Sequence, residues 1–235
     1  MHNQRSTVCI WAAVVLLAAR LPGTPGPGSL QGAQDPSTMI DKEKLAQRLE
    51  PIGKEAALLV RRDDTTVEQF DTPFWTNGAV YRVTHLARYN PVVFTVGCAA
   101  DLTVMLPRNP KGFMELAGKA ALRLNSPENR IAYVRVFLES TRDFRKRFQI
   151  VGKFGEIQLI AKPSPEETNR YKELQVKFDS VIKAPAVGDG PPWEVTLFAL
   201  IGQDLAQLKV RLFPDGKLDV SESILEKDLP IAYTR

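Results

Sequence analysis

Apolar and polar positions alternate most regularly in the last third of the chain. Leu174, Val176, Phe178 and Ile182 fall on one side there, and Glu173, Gln175, Lys177 and Asp179 on the other. A period of two describes a strand with one dry and one wet face. After the Pro/Gly-rich connection 184–192, Trp193, Val195, Leu197, Ala199 and Ile201 repeat the alternation, and a loop over 202–205 returns Ala206, Leu208, Val210 and Leu212 opposite them. The run Phe213-Pro214-Asp215-Gly216-Lys217 carries the chemistry of a type I turn followed by a left-handed glycine. That turn pairs Leu212 with Leu218 and Val210 with Val220. These turns select one apolar face and predict an antiparallel meander of about four strands, whose dry face needs covering by helices or by the earlier hairpins.

Upstream, Thr38 and Asp41 open a short helix that places Leu45 and Leu49 on one face and stops before Pro51. The runs 56–61 and 66–70 flank a polar turn, Arg62-Asp63-Asp64-Thr65, and read as a small hairpin. Two strand-like runs between Ala79 and Met105 meet at Tyr89-Asn90-Pro91. With Tyr89 opposite Val92, one face gathers Tyr81, Val83, His85 and Ala87 with Phe94, Val96 and Cys98. The other face carries Arg82, Thr84 and Arg88 against Thr95, Gly97 and Asp101.

Phe113, Leu116, Ala117, Ala120 and Leu124 recur at helical spacing, which predicts a helix over 110–124 ended by Asn125-Ser126-Pro127. The β-branched and aromatic run 131–138 reads as a strand, although Ile131, Val134, Arg135 and Leu138 also fit a helix. Runs 148–151 and 157–161 around Gly152-Lys153-Phe154-Gly155 read as a further hairpin. The expected class is therefore α+β, an antiparallel sheet built from hairpins and covered by one or two helices.

The first 33 residues stand apart. A short start containing Arg5 precedes an apolar run from Val8 to Ala19, then a Pro/Gly-rich stretch. This is the layout of a signal peptide with a leader, and the run is shorter than the roughly twenty residues that cross a bilayer. Export to a secreted or periplasmic location follows, with residues 34–235 as a single domain; a start at Met39 would leave the product cytoplasmic. Removing the leader takes Arg5 and Arg20 with it and lowers the formal charge from +4 to +2. No electrostatic footprint for nucleic acid then remains. The basic cluster Arg142, Arg145, Lys146 and Arg147, interleaved with Phe144 and Phe148, reads as a solvated face. Processing also leaves Cys98 as the one cysteine, so no internal disulfide can form.

His85 is then the one histidine and the natural candidate for a general base. In the register above it lies diagonal to Cys98, which allows a nucleophile and base pair to be drawn, with Asp101 as another partner. A core thiol and a hydrogen-bonded core imidazole explain the same residues without chemistry. No Gly-x-Ser-x-Gly turn, close-spaced metal-ligand pair or phosphate-cradling glycine loop occurs. Asp63, Asp64, Glu166, Glu167, Glu222, Glu226 and Asp228 read as turn or solvated carboxylates. Phe74-Trp75, just before Asn77-Gly78, resembles an exposed contact pair, with Tyr81 as a neighbour.

This poverty of catalytic groups favours an exported, non-catalytic module that binds an apolar small molecule or a protein partner, with Phe74, Trp75 and Tyr81 as contact residues and no cofactor or metal. The alternatives are a hydrolase or isomerase using His85 with Cys98 or Asp101, and a structural protein of the cell envelope.

Overall fold

The computed structural model describes residues 41–87, 91–158, 160 and 162–231. The expected leader, Thr38 and the Tyr89-Asn90 turn lie outside them. The described chain is α+β, with one four-stranded and one five-stranded antiparallel sheet.

Two short helices come first. α1 (Lys42–Leu49) is capped by Asp41, whose carboxylate accepts from the Lys44 N–H, and it buries Leu45, Ala46 and Leu49. α2 (Lys54–Arg61) replaces the first arm of the hairpin expected at 56–70. Its Ala-Ala-Leu-Leu run is helix-forming, while Gly53 offers no side chain to announce the start.

The first sheet has the order β1 (Thr65–Gln69), β2 (Gly78–His85), β3 (Val92–Ala99), β4 (Leu102–Met105). His85, not Tyr89, lies opposite Val92, so the β2–β3 register is displaced by four residues and the connection is the longer segment 86–91. Because the displacement is even, Tyr81, Val83 and His85 still share a face with Phe94, Val96 and Cys98. The second face is not wet. Val80, Thr95, Gly97 and Ala99 are buried as well, because both sides of this sheet are covered by helices.

α3 (Pro110–Lys119) is capped by Asn109 and buries Phe113, Leu116 and Ala117 as expected, but it stops before Leu124. Gly97 lets it approach β3: a Cβ there would lie 2.1 Å from Leu116 Cδ1. Asn125-Ser126-Pro127, expected to end a helix, begins one. Ser126 caps α4 (Pro127–Thr141) by accepting from the Asn129 N–H, with Pro127 in the first turn. The strand expected at 131–138 is thus helical. Its β-branched residues are tolerated because α4 is packed on more than one side, burying Tyr133, Val134, Val136 and Phe137.

The second sheet has the order β5 (Phe148–Val151), β7 (Trp193–Ile201), β8 (Asp204–Leu212), β9 (Leu218–Glu226), with β6 (Ala186–Val187) also paired to β7. β5 pairs with β7 and not with 157–161; the segment between is a 3₁₀ turn, Phe154–Glu156. The expected strand at 174–182 is α5 (Pro165–Phe178), opened by a capping box in which Ser164 and Glu167 satisfy each other's N–H groups. Leu174, Phe178 and Ile182 are buried at a spacing of four, while Val176 is 81% exposed. The meander therefore has β7, β8 and β9 in sequence, with β5 supplying the other edge.

Within the meander, Gly202-Gln203 makes a tighter turn than the loop expected at 202–205, again shifting the register by an even step. Val195, Leu197 and Ala199 still oppose Val210, Leu208 and Ala206. The pairs Leu212–Leu218 and Val210–Val220 form as the turn chemistry predicts, around Gly216 at φ +83°.

The layers follow from three apolar clusters. α1 and α2 cover Val83, Phe94, Val96 and Cys98 on one face of the first sheet. α3 and α4 lie between the two sheets, joining Val80 and Ala99 of the first to Val195, Leu197, Val210 and Leu212 of the second. α5 and the 3₁₀ turn cover Phe198, Leu200 and Leu205 on the far side.

Candidate functional site

His85 ends β2 opposite Thr65 of β1. Its ring is buried, with Nδ1 3.1 Å from Thr65 Oγ1 and 3.3 Å from Asp64 Oδ1. Asp64 is gripped by the Arg62 guanidinium at 2.9 and 3.1 Å, which holds its carboxyl below the usual carboxylate range. Lys42 Nζ donates to the carbonyls of Arg62 and Thr65. These bonds tie α1, the α2–β1 turn and β2 together, and neither Cys98 nor Asp101 takes part in them.

Cys98 is at the far end of the same hairpin, opposite Ala79. The six residue steps from Val92, which faces His85, to Cys98 span about 20 Å of strand. The diagonal His85–Cys98 contact drawn from the sequence therefore does not form, because the connection is longer than the two-residue turn that contact required. Burial pushes the Cys98 thiol pKa up, against the smaller opposing effects of Arg48 and Thr103. Asp101 is exposed in the turn between β3 and β4, also remote from His85. Neither alternative pair, His85 with Cys98 or His85 with Asp101, is brought together.

The aromatic contact pair is internal. Phe74 is fully buried and Trp75 is 6% exposed, and Trp75 bridges to Leu122. Phe74 meets Tyr133 edge-on at 5.1 Å, and Trp75 lies 5.4 Å from Phe113. Tyr81 is half-buried against the α1–α2 cluster, on the other face of the first sheet. The three expected contact residues thus share no surface, and the apolar face of the meander is occupied by α3 and α4.

A cleft of about 350 Å³ lies beside α5, lined by Ile160, Glu166, Arg170, Gln203, Asp228 and Ile231 among others. Two of its polar side chains hold the segment after β9. Arg170 donates to the carbonyls of Lys227 and Asp228, and Gln203 donates to those of Leu229 and Ile231. Among the described residues, no group of three or more His, Cys, Asp or Glu is placed to hold a metal ion, and no helix is long and apolar enough to cross a membrane.

What sequence reasoning passed over is the outer edge of the second sheet. β9 pairs with β8 along one side and is the last strand of the order. Residues 219–224 are all exposed, including Val220 at 46% and Ile224 at 45%. The register runs unbroken from Leu218 to Ile224 before an irregularity near Leu225. An edge of this kind offers a row of main-chain donors and acceptors to another strand. The signal was available in the sequence, since the final strand of a meander is an edge unless something later covers it.

No family model, no curated protein and no solved structure matches the chain.

Proposed function

We propose that the chain is an exported, non-catalytic module that binds a protein partner by accepting an extended segment along β9. The observation that carries this reading is the edge strand β9, whose residues 219–224 are exposed among the described residues, Val220 and Ile224 included. Main-chain hydrogen bonds to such an edge supply affinity, and alternate side chains supply selectivity. Glu222 shares a face with Val220 and Ile224 while Asp219 lies on the other, which favours a segment with Lys or Arg opposite Glu222 between two apolar residues and a further Lys or Arg opposite Asp219. A second copy of the chain is a poor fit. Antiparallel pairing of β9 with itself about its midpoint sets Glu222 against Glu222. Export rests on the layout of the first 33 residues, and the non-catalytic assignment on the separation of His85, Cys98 and Asp101.

The test is a ten-residue peptide with two lysines three residues apart, to oppose Asp219 and Glu222, and valines placed to oppose Val220 and Ile224, added to the full chain and followed by fluorescence anisotropy and by amide hydrogen exchange. Saturable binding that slows exchange within 218–226, and that Asp219→Lys with Glu222→Lys weakens at least about tenfold, supports strand addition. Absence of protection in β9, or binding indifferent to the charge reversals, overturns it. The N-terminus of secreted native material, read by mass spectrometry, tests export separately.

A further inference from the structure

At the end of the helical layer between the sheets, Arg82 approaches the Glu139 carboxylate and Arg142 lies within the field of both. Arg82 projects from β2 on the α3–α4 side, with Nη2 3.6 Å from Glu139 Oε2 of α4. Arg142 follows the last turn of α4, and its Nη1 donates to the Lys146 carbonyl at 2.9 Å. The Nε–H of each is closed off from solvent and has no acceptor among the described residues. A buried donor without an acceptor is costly and calls for an explanation.

Aromatic rings hold both guanidinium groups. Arg82 lies 4.9 Å from the Phe70 ring centroid, and Arg142 lies 4.4 Å from Phe144 and 5.9 Å from Phe148. Their side chains are only partly exposed, so the charges are screened less than free surface charges. Burial first, and the Arg82 charge second, lower the Arg142 pKa, with Glu139 opposing.

The obvious ordinary duty, capping the C-terminus of α4, is already performed by other groups. The Ser140 carbonyl accepts from the Thr95 hydroxyl, the Thr141 carbonyl from the Arg108 N–H at 2.8 Å, and the Phe137 carbonyl from the Thr141 hydroxyl at 2.7 Å. Asp143 accepts from the Arg145 N–H within its own turn, and Glu68, the exposed cross-strand partner of Arg82, makes no ion pair with it. None of these bonds engages the two buried Nε–H groups.

We infer that Arg82 and Arg142 form a binding site for a tetrahedral oxyanion, a phosphate or sulfate group, at the C-terminal end of α4. A small rotation about the final side-chain bonds presents the Nε–Nη2 edge of each guanidinium, the fork that matches two oxygens of such a group. The anion gives the two Nε–H groups an acceptor. Glu139 competes with it for Arg82.

The experiment titrates inorganic phosphate into the full chain in a buffer free of other oxyanions, by calorimetry and by the ¹H–¹⁵N signals of arginine Nε–H groups. The expected result is saturable binding that moves two Nε–H signals. Arg82→Gln and Arg142→Gln each weaken it at least about tenfold, as loss of a charge-assisted hydrogen bond requires. Glu139→Gln tightens it, and because that variant keeps both arginines it remains decisive if Arg82→Gln does not fold. Absence of saturation, unmoved Nε–H signals, or weakening by Glu139→Gln overturns the site. Phenyl phosphate is the second probe. Binding at least tenfold tighter than inorganic phosphate assigns the group to a larger ester seated on Phe144 and Phe148, and equal binding assigns it to the free anion.

Discussion

The Tyr133 hydroxyl in α4 donates to the Gly216 carbonyl in the β8–β9 turn at 2.7 Å, closing a contact between residues 83 apart in the chain. The ring of Tyr133 is fully buried among Phe74, Phe113 and their neighbours, so its one polar atom reaches out of the apolar layer through this bond. The turn is thereby fixed to the central helix, and with it the position at which β9 begins.

Tyr133→Phe removes the donor and leaves the Gly216 carbonyl without it, which costs about 1–3 kcal/mol. Gly216→Ala is expected to cost more. Its φ of +83° disfavours a side chain, and a Cβ there would lie 2.9 Å from both Leu122 Cδ2 and Tyr133 Oη. Urea denaturation of both variants checks the order, and a Gly216→Ala protein as stable as Tyr133→Phe would contradict the packing described.

Cys98 yields a prediction with a definite sign in pH. Its raised pKa means that the folded chain holds the thiol proton to higher pH than the unfolded chain does. The associated stability is complete below the unfolded value of about 8.5 and is lost as pH climbs through the folded value. Tyr133, whose pKa burial also raises, acts in the same direction at higher pH. Denaturant midpoints measured between pH 7 and 10 are expected to fall, and Cys98→Ala is expected to remove the earliest part of that fall. Labelling of the native thiol by a disulfide reagent should begin at higher pH than labelling of the unfolded chain.

Legibility of the sequence followed the number of independent constraints on each segment. The faces of β7, β8 and β9 were readable because alternation and turn chemistry agreed, and because even register shifts leave a face unchanged. Position along the strand was not readable, since turn length decides it; this is why His85 and Cys98 were drawn together and stand apart. Over 131–138 and 174–182, β-branched content and local alternation point to strands, while the signals that start α4 and α5, Ser126-Pro127 and Ser164-Pro165 with Glu167, lie upstream of those runs. Phe74 and Trp75 were placed outside because burial by a remote helix leaves no local mark. Of the candidate sites, the edge of β9 was implicit in the meander, whereas the approach of Arg82 to Glu139 depends on long-range packing between β2 and α4.

The helical state of 165–178 has a test in which a strand gives the opposite answer. In a strand, Leu174, Val176 and Phe178 share one face, and a charge at Val176 enters the core with its neighbours. In α5, Leu174 and Phe178 point inward four residues apart, and Val176 is turned to solvent at 81% exposure. Leu174→Ala is therefore expected to cost about 2–4 kcal/mol as a core truncation. Val176→Lys is expected to change stability by no more than about 0.5 kcal/mol. Ser164→Ala, which deletes the capping box, should cost about 1 kcal/mol. Comparable losses at positions 174 and 176, with no effect at 164, would return the segment to the sheet.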